Sequence, residues 1–129
     1  MMRIFDKHLI NCWKGIRAIE QELGITGETF WRKFLDITFC FFSLNFKEAQ
    51  VFVDVGAGGS LFPVLLANRS SSIVIPLDIK KEGFVDISLD FKSRIGKNSL
   101  NPIVCNANSM PFKENSVDYF CALSSMEHF

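Results

Sequence analysis

Three sets of residues in this sequence have types and spacings that could do chemistry. The first is Asp54-Val55-Gly56-Ala57-Gly58-Gly59-Ser60, an acidic residue running into small ones. Glycines at such a turn let a ligand approach bare backbone, and a helix starting just after it favours an anionic or nucleotide-like group. The second is Asp78, a lone carboxylate closing an apolar run, placed to accept hydrogen bonds from a pair of sugar hydroxyls. The third is the polar turn Asn106-Ala107-Asn108-Ser109 with the fourth-strand end at Leu123 and Ser124. None of these sets contains a Ser-His-Asp or Cys-His arrangement, and no residue set is put forward as a metal site.

The elements that must hold these residues follow from apolar periodicity. Val51 to Val55 read as a buried strand, and Leu61 to Asn68 as the helix after it, with Pro63 tolerated in the first turn. Ile73 to Leu77 form a second strand ending at Asp78, whose Pro76 either weakens the pairing or marks the end. Residues 79 to 101 are ambiguous. Val85, Ile87, Leu89 and Phe91 alternate as in a strand, while two parallel strands demand a crossover of this length, so a short helix is expected around Ser88 to Ile95, closed by Gly96. Pro102 to Cys105 make a third strand and Val117 to Leu123 a fourth.

Ahead of this α/β part lies a helical preface, residues 1 to 48. Ile4, Phe5, Leu9, Cys12, Trp13, Ile16, Ile19 and Leu23 recur at helical steps and Gly24 stops the helix; a second helical stretch is expected from about Thr29 to Leu44. The domain division is therefore 1–48 and 49–129.

Bulk properties narrow the function classes. The chain has 129 residues, room for one core. Lys+Arg and Asp+Glu balance at 14 each, so no net field draws nucleic acid or an anionic membrane. Cys12, Cys40, Cys105 and Cys121 lie in apolar runs without a C-x-x-C pair and read as reduced core thiols. The start of the chain does not read as a signal peptide, and the most apolar run, Ile37 to Leu44, is short of the roughly 20 residues a membrane span needs. A cytoplasmic protein is the expectation.

A dinucleotide fingerprint would place a third glycine where Leu61 stands. The pattern Asp54-x-Gly56-x-Gly58-Gly59-Ser60 instead resembles the first motif of the class I S-adenosylmethionine-dependent methyltransferases, of the type 11 kind. Asp78, the Asn106-to-Phe112 loop with Asn115 to Phe120, and Ser124-Ser125-Met126-Glu127-His128 are similar to later motifs of that family, in the same order. The resemblance spans residues 51 to 129 and leaves the preface uncovered. It implies a Rossmann-like three-layer sandwich with a mainly parallel sheet, here incomplete, with about four of seven strands after the N-terminal helices.

It also implies roles. Gly56, Ala57, Gly58 and Gly59 would approach the methionine part of S-adenosyl-L-methionine, and Asp54 would order the turn and the cofactor's amino group. Asp78 would hold the ribose. Asn106 and Ala107 would meet the adenine edge, and Leu123 and Ser124 would lie under the sulfonium end. Two positions depart from the family pattern: Asn106 replaces a usual Asp, which removes a charge but keeps an acceptor, and Ser60 stands where a third glycine is frequent. The functions implied are methyl transfer to an unidentified acceptor, or the cofactor-binding half of such an enzyme. A non-catalytic methyltransferase-like fragment or partner-binding module is the alternative, a protein partner covering the open sheet edge, and a NAD-dependent oxidoreductase is a third reading. His128 is read as structural, and no catalytic residue is assigned.

Overall fold

The computed structural model describes residues 2–22, 24, 50–58, 60, 62–81, 89–90, 92–93 and 99–123. The chain divides into two compact units, residues 1–45 and 46–129.

In the first unit, helix α1 (Met2–Glu22) follows the apolar period read above. Ile16 of the expected stripe is buried, while Lys7, Asn11, Lys14 and Ala18 are exposed. Gly24 ends the helix in a left-handed conformation (φ 65°), its N–H donating to Gln21 O at 3.1 Å. Glu20, one turn beyond Ile16, is only 2% exposed, and Arg17 Nη1 meets its Oε2 at 2.9 Å. The two are an i, i+3 pair on one face of the helix. The expected helix from Thr29 to Leu44 lies outside the described residues.

The second unit is built on a four-stranded sheet, all parallel, in the order β3-β2-β1-β4. Strand β1 (Val51–Val55) leads through a glycine turn to helix α2 (Phe62–Arg69), then to β2 (Ile73–Asp78), β3 (Ile103–Val104) and β4 (Tyr119–Cys121). Ser60 caps α2 by accepting the Phe62 N–H at 3.2 Å. Residues 62 to 67 of that helix are all buried, as in a helix enclosed on every side. Between β2 and β3, Leu89, Asp90, Lys92 and Ser93 are helical, within the helix expected over 88–95; the rest of that stretch lies outside the described residues.

Pro76 sits inside β2 and does not end it. Ile73 donates to Gln50 O of the β1 segment, and Val74 to Ser99 O on the β3 side, so even-numbered residues of β2 face β3. Pro76 therefore withholds its missing N–H from β3, and the β2–β3 pairing is interrupted between the Val74–Leu100 bridge and Leu77–Ile103. The β1–β2 register runs unbroken from Val51–Ile73 to Val55–Leu77. Strand β4 is shorter than the apolar run 117–123: it pairs with β1 alone, and residues 117 and 118 enter it rather than belong to it. Asp118 pins that entry, its Oδ2 accepting the Val51 N–H at 2.7 Å while its own N–H donates to Val51 O at 3.0 Å.

Val53, Val55 and Leu77 make the core of one sheet face, packed by Ile75, Cys105, Ala107, Phe112, Val117 and Ala122. Phe52 and Asp54 point to the opposite face by alternation. Phe52 stacks on Tyr119, its partner across the β1–β4 pair, with centroids 4.7 Å apart. No helix among the described residues is long and apolar enough to cross a membrane.

Candidate functional site

Because all four strands are parallel, their carboxyl ends lie on one side of the sheet. The chain builds outward from β1 through β2 to β3, then returns to place β4 on the other flank of β1. The strand order reverses between β1 and β4, and in open α/β sheets the ligand crevice forms at such a point, outside the carboxyl ends. Register puts Gly56, Asp78 and Leu123 level there, each one or two residues past the last paired positions Val55–Leu77 and Asp54–Cys121. Asn106 follows β3 on the far side of Asp78, and Cys105 ties the two strands by donating to Asp78 O at 3.0 Å. From Leu123 to Asn106 the row crosses three strand spacings, about 14 Å. The order along that row is Leu123, glycine turn, Asp78, Asn106.

The turn itself is held from β2. Gly56 and Ala57 both donate to Leu77 O, at 2.8 and 3.0 Å, and Gly58 donates to Asp78 Oδ2 at 2.9 Å. These amides are thus committed within the protein. Among its described residues the turn offers a ligand side-chain-free surface and the capped start of α2. Gly56 and Gly58 have positive φ of 70° and 48°, which a residue with a Cβ adopts at a cost. Asp54, in contrast, is 2% exposed inside β1, two positions short of the turn.

Asp78 is the best-defined group in the row. Its second oxygen, Oδ1, accepts the Lys80 N–H at 2.9 Å, so both oxygens are fixed by backbone donors. A carboxylate has about four acceptor positions, and two remain for a pair of hydroxyls. Asn106 behaves differently. It is exposed and caps the 3-10 turn Ala107–Ser109, its Oδ1 accepting the Asn108 N–H at 2.9 Å. Ala107 packs its methyl toward the Val53 cluster, and its N–H, first in the turn, has no acceptor within that turn. Leu123 is half-buried; Gly59 and Ser124, together with His128, lie outside the described residues.

Sequence reasoning passed over Ile79. It is 64% exposed, immediately beyond Asp78 at the ligand end of β2. A large apolar side chain held in water beside an oriented carboxylate is a ready wall for a flat ring, and the signal was there: an apolar residue just after a strand-end acid. Met110, also exposed, lies past the Asn106 turn. Cys105 and Cys121 are free thiols, and burial pushes the Cys105 thiol above its ordinary value, away from nucleophilic use.

A parallel α/β sheet with a glycine turn after its first strand and an oriented strand-end carboxylate defines a Rossmann-like class of protein. Within it the chain belongs to the methyltransferase domain family, whose pattern matches residues 53–129. Solved structures share the fold. A Methanococcus maripaludis protein described as an S-adenosyl-L-methionine-dependent methyltransferase is 18% identical, with a TM-score of 0.61 over 90% of this chain and 50% of its own. The Haemonchus contortus phosphoethanolamine N-methyltransferase 2, solved with phosphomonomethylethanolamine and S-adenosylhomocysteine, is 23% identical, with a TM-score of 0.63 over 89% of this chain and 27% of its own. The same enzyme with S-adenosyl-L-methionine gives a TM-score of 0.58. This chain thus spans half the length of the first and about a quarter of the second. No curated protein matches the sequence.

Proposed function

We propose that this chain binds S-adenosyl-L-methionine across the carboxyl ends of its strands and supplies the cofactor side of a methyl transfer to an acceptor not identified here. The observation that carries this reading is Asp78, an acceptor-only carboxylate oriented by the Gly58 and Lys80 amides at the edge of a side-chain-free turn. Such a group suits the vicinal hydroxyls of a ribose. The glycine turn then faces the amino-acid end of the ligand, and Ile79 and Ala107 flank a base beyond the sugar. Asp54, Gly59 and Ser124 keep the roles the family motif implies, and Asn106 contributes as the cap that shapes its turn.

When bound, the cofactor supplies an already activated methyl group on sulfur, so the protein's work is to place it. Rate enhancement by alignment of reactants needs no acid–base residue at that step. The described residues provide for one side of that alignment. A cytoplasmic setting fits the free thiols.

A second reading has its own observation. Among the described residues Phe120 lies on the edge strand β4, is 54% exposed and meets the ring of Phe112 edge-on at a centroid distance of 6.1 Å. An apolar edge strand of this kind calls for cover, and a partner polypeptide pairing with β4 is the corresponding proposal. Thermal denaturation sorts the ligand classes. Stabilisation by S-adenosylhomocysteine and not by NAD supports the methyltransferase reading; stabilisation by NAD alone favours the oxidoreductase, and by neither a non-catalytic module.

A further inference from the structure

The hydrogen bond from Gly58 to Asp78 joins two residues that the cofactor reading assigns to different ends of the ligand. We infer that Asp78 is a positioning residue for the glycine turn as well as a ligand contact, so that one carboxylate couples the sugar end of the site to its amino-acid end. The first half of this inference concerns the protein alone; the second rests on the S-adenosylmethionine reading.

The geometry is specific. Leu77 O anchors the start of the turn through the Gly56 and Ala57 amides, and Asp78 Oδ2 takes the next amide in line. Ser60 N–H donates to Ala57 O at 2.9 Å, closing the turn on itself. Among the described residues, Asp78 is thus the outermost tie between the turn and β2. The tie is not a matter of space: a Cβ added at Gly58 would sit 3.8 Å from Asp78 Oδ2, an ordinary contact. It depends on the charged acceptor and on the left-handed backbone at Gly58. Lys80 N–H holds the other oxygen and fixes the carboxylate's rotation. A ligand whose hydroxyls bind Asp78 therefore meets a group already locked to the turn, and whatever loosens Asp78 loosens the turn with it.

Amide hydrogen exchange in the ligand-free protein tests the first half. The Gly58 amide is expected to be protected, and Asp78→Ala to lower that protection at least tenfold while the amides of Val53 and Ile75 hold theirs, in line with the loss of one charge-assisted bond. Unchanged Gly58 protection overturns the inference. Should Asp78→Ala fail to fold, Asp78→Asn decides: with one acceptor oxygen it must release the Gly58 or the Lys80 amide, and retention of both overturns it. For the second half, S-adenosylhomocysteine is compared with adenosine, which has the sugar and base but nothing to reach the turn. A residue that only grips ribose weakens both ligands by the same factor in Asp78→Ala. The coupling adds about a further tenfold to S-adenosylhomocysteine alone, and equal losses contradict it. Wild-type protein that binds neither ligand overturns the cofactor reading, while the Gly58 exchange still decides whether Asp78 holds the turn.

Discussion

The central strand pair and the flanking strands are built to different standards. Strands β1 and β2 have five and six residues, an unbroken register and buried side chains at most positions. Strands β3 and β4 have two and three residues, half-buried or exposed throughout. The candidate site follows the same division. Gly56 and Ala57 are bonded to Leu77 O and Gly58 to Asp78 Oδ2, across β1 and β2, whereas Asn106 and Leu123 lie in turns at the ends of short strands. The middle of the site is preformed by the core, and its wings are joined to it by fewer ties, Cys105 N–H to Asp78 O and the packing of Ala107 and Ala122 among them.

The largest effect should come from the centre. Leu77→Ala removes a fully buried side chain from the Val53–Val55 cluster and is expected to cost about 2–5 kcal/mol in denaturant unfolding. Ile103→Ala, on half-buried β3, should cost well under half of that. Equal costs would abolish the distinction between core pair and flanks. Next comes Asp118→Ala, which leaves the first amide of β1 without its side-chain acceptor and frees the start of β4. A loss of about 1–2 kcal/mol is expected, with faster amide exchange in β4 than in β2. Gly58→Ala meets no clash but keeps a left-handed backbone, for a penalty of about 1–2 kcal/mol. The smallest change in stability is expected for Phe120→Lys, because the ring is more exposed than buried. It should reduce concentration-dependent association in sedimentation while leaving the unfolding midpoint nearly unchanged; a large drop in the midpoint would place Phe120 in the core.

Much of the centre was legible from residue order. A β-favouring run, then glycines, then an apolar helix with an early proline reads as strand, turn and helix, and a helix over residues 3 to 23, stopped by Gly24, followed from its period. The flanks were not. The run from Val117 to Leu123 is apolar but for Asp118, yet how much of it pairs depends on a neighbour, and β1 offers register only to residues 119–121. Pro76 read either as weakening the pairing of its strand or as marking its end, because sequence does not say which neighbour loses the missing donor; the first holds, and the neighbour is β3, already the weaker partner. Asn106 was legible as a turn former, and its Oδ1 accepts the Asn108 N–H in that turn. The double engagement of Asp78 by Gly58 and Lys80 was invisible, since it joins segments 20 residues apart whose meeting only the sheet defines.

On the proposed function, the row of strand ends with Asp78 oriented in its middle binds S-adenosyl-L-methionine. Isothermal calorimetry with S-adenosylhomocysteine on the folded chain tests it most directly. One-to-one binding, weakened at least tenfold in an Asp78→Ala variant whose circular dichroism is unchanged, is the predicted result. Well-folded protein that takes up no S-adenosylhomocysteine, or binds it equally well without the Asp78 carboxylate, would contradict the account.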